Sequence, residues 1–331
     1  MVIRSDHFYE EIKYAGKFQF NEDETAFKSI SPGGYFKFRL NDERIQAESN
    51  LKGEIEYTIY DGKTNLGLDA EGKKLVAGAI REMINWGFDA NARMERIYRK
   101  GGVPALLSEL DSVKTDQVKI IYLSRLFAID SLSAENISML TKKVGSIGSD
   151  MDKARLLNNI STAQLNNPQI AGAYFSVLGG MGADMDKSNA IQHILDQDSL
   201  TAENIYKTLD ITSHLGSDMD KANIYHKMIS NWLISGNTFD TLLNLASLLG
   251  SDMDKENLYR SLMDSKTISD EQWISLMNHS AELGSDMDKS NLLIEIARKM
   301  PKSENLKAAC QKAAKSIGND MDFGRVMRAI Q

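Results

Sequence analysis

The residues with the most obvious chemistry in this chain are aspartates at fixed spacing. Gly-Ser-Asp-Met-Asp-Lys starts at Gly148, Gly216, Gly250 and Gly284. Gly-Ala-Asp-Met-Asp-Lys starts at Gly182 and Gly-Asn-Asp-Met-Asp-Phe at Gly318, so every interval is 34 residues. A degenerate copy, Lys114-Thr115-Asp116-Gln117-Val118-Lys119, lies one step earlier. The aspartate pairs are Asp150/Asp152, Asp184/Asp186, Asp218/Asp220, Asp252/Asp254, Asp286/Asp288 and Asp320/Asp322. Repeated Asp-x-Asp could form a calcium ladder, but spacing opposes it. Stacked helices lie about 8–10 Å apart, whereas oxygens on one calcium ion lie about 2.3–2.6 Å from it. Aspartates of neighbouring copies therefore cannot readily share an ion, and no metal is expected.

The alternative is structural. The Gly is expected to end one helix in the left-handed conformation. Ser149 with Asp152 fits a capping box for the next helix, repeated at Ser217/Asp220, Ser251/Asp254 and Ser285/Asp288. Both aspartates sit in a first helical turn, where the helix dipole favours negative charge. Met151 and its equivalents are expected to fill the joint between helices. A second ladder, Asn189, Asn223, Asn257 and Asn291, flanked by Arg155 and Arg325, is expected to be buried and hydrogen-bonded between repeats.

Other reactive residues form no site. His7, His193, His214, His226 and His279 show no metal-binding spacing on one helix. No phosphate-binding Gly-x-x-x-x-Gly-Lys-Ser/Thr and no Gly-x-Ser-x-Gly occurs. Cys310, the single cysteine, excludes an internal disulfide and reads as a buried structural thiol. Trp86, Trp232 and Trp273 read as core anchors. No catalytic residue and no cofactor are assigned, and the expectation is a protein that is not an enzyme.

These residues must be carried by repeated helices. After each motif an apolar i, i+1, i+4 stripe follows: Leu156/Leu157/Ile160, Ile224/Tyr225/Met228, Leu258/Tyr259/Leu262 and Leu292/Leu293/Ile296. A polar break, such as Asp196-Gln197-Asp198-Ser199 or Ser235-Gly236-Asn237, precedes a second stripe. That stripe is Ile205, Leu209, Ile211 and Leu215 in one copy and Leu242, Leu243, Leu245, Leu248 and Leu249 in another. One period is thus a helix, a turn and a second helix. Stacked pairs make an α-solenoid resembling HEAT or tetratricopeptide arrays in repeat length, although tetratricopeptide Trp, Leu-Gly, Tyr and Pro positions are missing.

Before residue 87 the period changes to two: Phe18/Phe20, Phe36/Phe38/Leu40 and Ile55/Tyr57/Ile59 alternate with polar residues. Ser31-Pro32-Gly33-Gly34, Asn41-Asp42-Glu43 and Asp61-Gly62 punctuate them. Asp69 then opens a helix with Leu75, Val76, Ala79, Ile80, Met83 and Ile84 on one face. Further helices are expected at roughly 89–100, 104–112 and 115–127. The expected organisation is a small antiparallel-sheet α+β cap over 1–86 and a helical-repeat solenoid over 87–331.

Composition agrees with a folded chain: 331 residues, 26% charged and 42% hydrophobic. The six motif copies hold twelve Asp and five Lys, so the formal charge of −7 lies in them and the remainder balances. The acidic balance argues against nucleic acid, whose binding rests on basic residues meeting phosphates. No run approaches 18 apolar residues, so no direct membrane insertion is expected. The start has no apolar h-region, so no signal peptide is expected in the chain as it stands.

Three stretches carry a resemblance: Gly16 to Glu24 (GKFQFNEDE), Ser29 to Tyr35 (SISPGGY) and Arg93 to Gly102 (RMERIYRKGG). With the Ser-Asp-rich repeat, they resemble an uncharacterised family of extracytoplasmic bacterial proteins, often from Bacteroidetes. That family commonly has Ser-Asp-Tyr where this chain has Ser-Asp-Met. Some members look like sensor portions of membrane-bound zinc metallopeptidases. The resemblance implies a HEAT-like solenoid and a periplasmic or other extracytoplasmic location, the alternative being cytoplasmic. The zinc motif His-Glu-x-x-His is absent, so no peptidase chemistry carries over.

Positions that differ between copies point to function. Six residues past the second Asp stand Asn158, Gln192, His226, Arg260, Ile294 and Arg328. Next to them are Asn159, His193, Lys227, Ser261 and Glu295. Structural positions repeat, so these are expected on an exposed, partner-reading face. The expected function is a non-enzymatic scaffold binding a protein or peptide along one face, with Asn158, Gln192, His193, His226, Lys227, Arg260 and Ile294 as contacts. The alternative is an extracytoplasmic sensor domain that binds a ligand and signals to a membrane-bound partner.

Overall fold

A computed structural model describes residues 2–5, 8–129, 131–197, 200–231, 234 and 236–331, with the backbone alone at 2–5, 8 and 9. His7, Trp232, Asp198, Ser199 and Ser235 lie outside the described residues. The chain forms two compact units, Met1–Gly148 and Ser149–Gln331.

The first unit begins with strands β1 (Val2–Ser5), β2 (Phe8–Ala15), β3 (Phe18–Phe20), β4 (Phe27–Ile30), β5 (Tyr35–Leu40), β6 (Glu43–Ser49), β7 (Ile55–Asp61) and β8 (Thr64–Asn65). One antiparallel sheet has the order β1-β2-β5-β6-β7-β8, and β3 and β4 form a separate pair. Register aligns one apolar row, because Ile12 pairs Phe38, Phe38 pairs Ile45 and Ile45 pairs Ile59. Helix α1 (Ala70–Asn85) starts where Asp69 accepts the Gly72 N–H at 2.9 Å. Its Val76, Ala79, Ile80 and Met83 share one buried core with that row. Each of the larger side chains, Val76, Ile80 and Met83, contributes about 1.5–3 kcal/mol by leaving water. Trp86, expected in a core, is exposed.

Helix α2 (Ala90–Ser112) runs through a kink at Gly102, whose φ of 62° needs a glycine, and α3 (Asp116–Phe127) and α4 (Ala134–Val144) follow. The turn between β3 and β4 is tied to α2. Arg93 Nε donates to Glu24 at 2.8 Å, and its Nη1 donates to Glu109 at 2.6 Å and to the Tyr122 hydroxyl at 3.0 Å. Arg96 bridges Glu24 and Asp89. Burial acts to lower the Arg93 pKa, but bonds from Glu109, Tyr122 and Glu24 outweigh it and hold it raised. Two of the stretches behind the family resemblance thus meet in one ion-pair network.

The second unit is an α-solenoid of helix-turn-helix repeats. It comprises α5 (Asp150–Leu157), α6 (Thr162–Leu165), α7 (Pro168–Gly179), α8 (Asp184–Leu195), α9 (Ala202–Ser213), α10 (Asp218–Asn231), α11 (Asn237–Ser247), α12 (Asp252–Met263), α13 (Asp270–Ala281), α14 (Asp286–Lys299), α15 (Glu304–Ala314) and α16 (Asp320–Ile330). Helices that open on the motif stack in the order α5, α8, α10, α12, α14 and α16. The intervening helices stack as α7, α9, α11, α13 and α15. The expected first stripes line the core: Leu157, Ile224, Leu262 and Leu292 are fully buried, as are Leu242 and Leu243 of a second stripe, but Leu248, expected in that stripe, caps the end of α11 and is exposed. Helix α9 departs from its expected stripe. Ile205 and Ile211 are half-buried, whereas Asn204, Thr208 and Thr212 face inward. They are satisfied by back-bonding: Thr208 donates to the Asn204 carbonyl and Thr212 to the Thr208 carbonyl, and Asn204 donates to the Leu165 carbonyl at 2.8 Å.

Candidate functional site

The aspartate motif is built into the stacking. The first Asp of each copy reaches forward to the Gly N–H of the next copy. Asp116, Asp150, Asp184, Asp218, Asp252 and Asp286 accept from Gly148, Gly182, Gly216, Gly250, Gly284 and Gly318 at 2.6–2.9 Å. The degenerate copy at Asp116 keeps this bond. Asp150 and Asp286 also accept the next N–H, from Ala183 and Asn319, at 2.9 Å. In several copies the lysine three residues on holds the other oxygen, as in Lys153–Asp150 at 2.8 Å and Lys255–Asp252 at 3.1 Å. Lys153 and the Ala183 N–H hold the Asp150 pKa down to about 2. Asp218 and Asp252 are lowered first by the Gly250 and Gly284 N–H groups.

Several expectations about the motif change. The motif glycines do not have positive φ. A Cβ on Gly250 or Gly284 would stand 3.0 Å from the preceding Asp oxygen, so glycine is there for the close approach of a carboxylate. The capping box is half made. Ser149, Ser217, Ser251 and Ser285 accept from the N–H of Asp152, Asp220, Asp254 and Asp288 at 3.2–3.3 Å. The reciprocal bond is present at Ser161/Gln164 and Ser269/Gln272 instead. Met151, Met185, Met219, Met253, Met287 and Met321 fill no joint: they are 58–75% exposed. Asn189, Asn223 and Asn257 are also exposed, and among the described residues only Asn291 of the four is bonded across repeats, accepting from Arg325 at 3.0 Å. These side chains lie in the first two turns of the motif-bearing helices, and their exposure leaves them outside the core.

Asp152 and Asp322 pair with Arg155 and Arg325, while Asp186, Asp220, Asp254, Asp288 and Asp320 stand at their helix starts without an ion pair among the described residues. Among those residues no cluster of three metal-ligating side chains forms. Cys310 is buried with its pKa pushed up to about 11, so its thiol is protonated and shielded.

The non-repeating residues lie together on the outer face of the motif-bearing helices. Asn158, His226 and Arg328 are exposed, and Gln192, His193, Lys227, Arg260 and Ile294 are half-buried. Many join one repeat to the next. His193 Nε2 meets the Asn158 carbonyl at 3.1 Å, Ser261 Oγ meets His226 Nδ1 at 2.9 Å, and Arg260 pairs with Glu295. Lys227 pairs with Asp196 at 2.6 Å, and Gln192 donates to Ser188 at 3.1 Å.

Two grooves open on this face. A groove of about 350 Å³ between α10 and α12 is lined by His226, Ser230, Ser261, Asp264 and Lys266. A larger one of about 740 Å³, crossing α12, α14 and α16, is lined by Arg260, Ile294, Glu295, Arg298, Arg325 and Arg328. Arg260 and Ile294, six residues past the second Asp of their copies, are candidates from the sequence; Arg298 stands ten residues past it, beyond the positions compared there. Its signal was available in another form. The second unit has five arginines, Arg155, Arg260, Arg298, Arg325 and Arg328, and four of them line this groove.

No family model matches the chain, and no curated protein matches it. Among the described residues no helix is long and apolar enough to cross a membrane.

Proposed function

We propose that the helical array is a non-catalytic interaction scaffold, binding a protein or peptide along the outer face of its motif-bearing helices. The observation that carries this reading is a division of labour. The invariant Gly and first Asp are spent on bonds between repeats, while six of the side chains that differ from copy to copy, His226, Arg260, Ser261, Ile294, Glu295 and Arg328, line two open grooves. A stacked array presents such a surface continuously, so one partner can touch several repeats.

The test is selection of a random dodecapeptide display library against the full chain. The enriched peptides are then measured on Gln192→Glu, His226→Ala and Ile294→Ala variants. Binding lost on these variants and kept on a Tyr206→Ala/Lys207→Ala variant of α9 supports the reading. Failure to enrich any peptide, or binding indifferent to the three face variants, overturns it.

A further inference from the structure

The groove across α12, α14 and α16 differs from the rest of the second unit in its choice of cation. That unit uses thirteen lysines and five arginines, yet the groove gathers four arginines. Arginine presents a planar fork that meets a carboxylate through two parallel hydrogen bonds, which an ammonium cannot do. Two of the four are already engaged. Arg260 pairs with Glu295 and, at 2.5 Å, with Glu256. Arg325 is held by Asp322 at 3.0 Å and by Asn291 at 3.0 Å. The other two, Arg298 and Arg328, are exposed and make no hydrogen bond or ion pair among the described residues. They stand on neighbouring helices, α14 and α16, with the half-buried Ile294 also in the lining.

We propose that this groove binds a short acidic peptide whose carboxylates pair with Arg298 and Arg328 and whose apolar side chain rests on Ile294. This rests on the interaction reading of the same helix face and adds the chemistry of the partner. Packed neighbouring helices such as α14 and α16 lie about 8–10 Å apart. An extended peptide rises about 3.3 Å per residue, so about three of its residues pass from the helix of Arg298 to that of Arg328. Separate guanidiniums on two helices, with Glu295 beside them, suit singly charged acceptors spread along a chain. A phosphate dianion would call for donors converging on one point. The engaged pairs have a role in this arrangement. Arg260 and Arg325 are locked by their own carboxylates and form fixed walls, so they lose little freedom when the ligand enters.

The probe is a fluorescein-labelled octapeptide with four glutamates around one leucine, read by anisotropy on the full chain against the same peptide with glutamines. The glutamate peptide is expected to bind at least about tenfold more tightly, with the gap closing between about 50 and 500 mM salt as charges are screened. Arg298→Ala/Arg328→Ala removes the preference. Both side chains are exposed and unpaired, so these substitutions leave the helices intact. Lys312→Ala/Lys315→Ala, an equal charge change on and just beyond α15, leaves the preference in place. No preference for the glutamate peptide overturns the proposal, as does an equal loss in the lysine variant. Tighter binding of a phosphoserine peptide, or competition by millimolar inorganic phosphate, overturns the carboxylate assignment. A glutamate peptide that fails while library peptides still bind the face leaves the scaffold reading standing and removes this one.

Discussion

The Asp252 carboxylate of one repeat accepts the Gly284 N–H of the next at 2.7 Å, and a methyl group on Gly284 would stand 3.0 Å from the same oxygen. Gly and Asp are therefore two halves of one contact. Asp252→Ala leaves the N–H to water and is expected to cost about 1–2 kcal/mol, the range for a charge-assisted bond at a partly exposed site. Gly284→Ala pushes the carboxylate away and should cost a similar amount. The double variant should cost less than the sum, because both changes break the same bond. Urea denaturation of the four proteins measures this, and strict additivity would contradict the contact.

Acid should loosen the array. The Asp150 pKa is held at about 2, and those of Asp218 and Asp252 are also lowered. A carboxyl whose pKa is lower folded than unfolded stabilises the fold above its unfolded value near 3.9. That stabilisation drains away as pH falls toward about 2. Thermal midpoints of the wild type and Asp150→Asn should differ at neutral pH and converge through this window. A constant gap down to about pH 2 would rule out the assigned bonds.

Glu10 has the opposite sign. Burial, together with the charge of Glu82, raises its pKa, and its Oε1 has no hydrogen-bond partner. A raised carboxyl favours the fold only while protonated. Its ionised form opposes folding above the folded-state pKa, and the difference vanishes below the unfolded value near 4.3. Glu10→Gln should therefore raise the melting temperature at pH 7 and make no difference near about pH 3. Equal melting temperatures at pH 7 would count against a buried charge there.

Two groups of methionines differ sharply in exposure. Met151, Met185, Met219, Met253, Met287 and Met321 are exposed, whereas Met83, Met228 and Met277 are fully buried. Mild peroxide should convert the first group to sulfoxides well before the second, with helicity unchanged. Peptide mass spectrometry over a time course reads this directly. Early oxidation of Met228 or Met277 would show that their helices are not packed as described. Cys310 should stay unreactive to thiol reagents until the chain unfolds.

Period and core were legible because they are local. An i, i+1, i+4 stripe names a helix face without knowledge of its neighbour, and a 34-residue interval names a repeat. The role of the motif glycine depends on a partner 32 residues away. The motif glycine reads as a helix terminator until the carboxylate from the preceding copy is placed beside it. The methionine reads as a core residue because of its type alone. In β2, the buried Glu10 breaks the apolar alternation that Ile12 would otherwise suggest. The arginine groove escaped copy-by-copy comparison because Arg298 and Arg328 occupy different positions in their repeats and meet only when α14 and α16 stack.

The contact from Asp to Gly always spans 32 residues, and the motif always returns after 34. Removing the stretch from Ser217 to Gly250 would join Gly216 to Ser251 and leave Asp184 still facing Gly216. Every remaining rung would keep its partner. The array is therefore quantised in length: whole repeats can be removed or added without breaking the Asp–Gly ladder, and the reach of its face becomes an adjustable dimension.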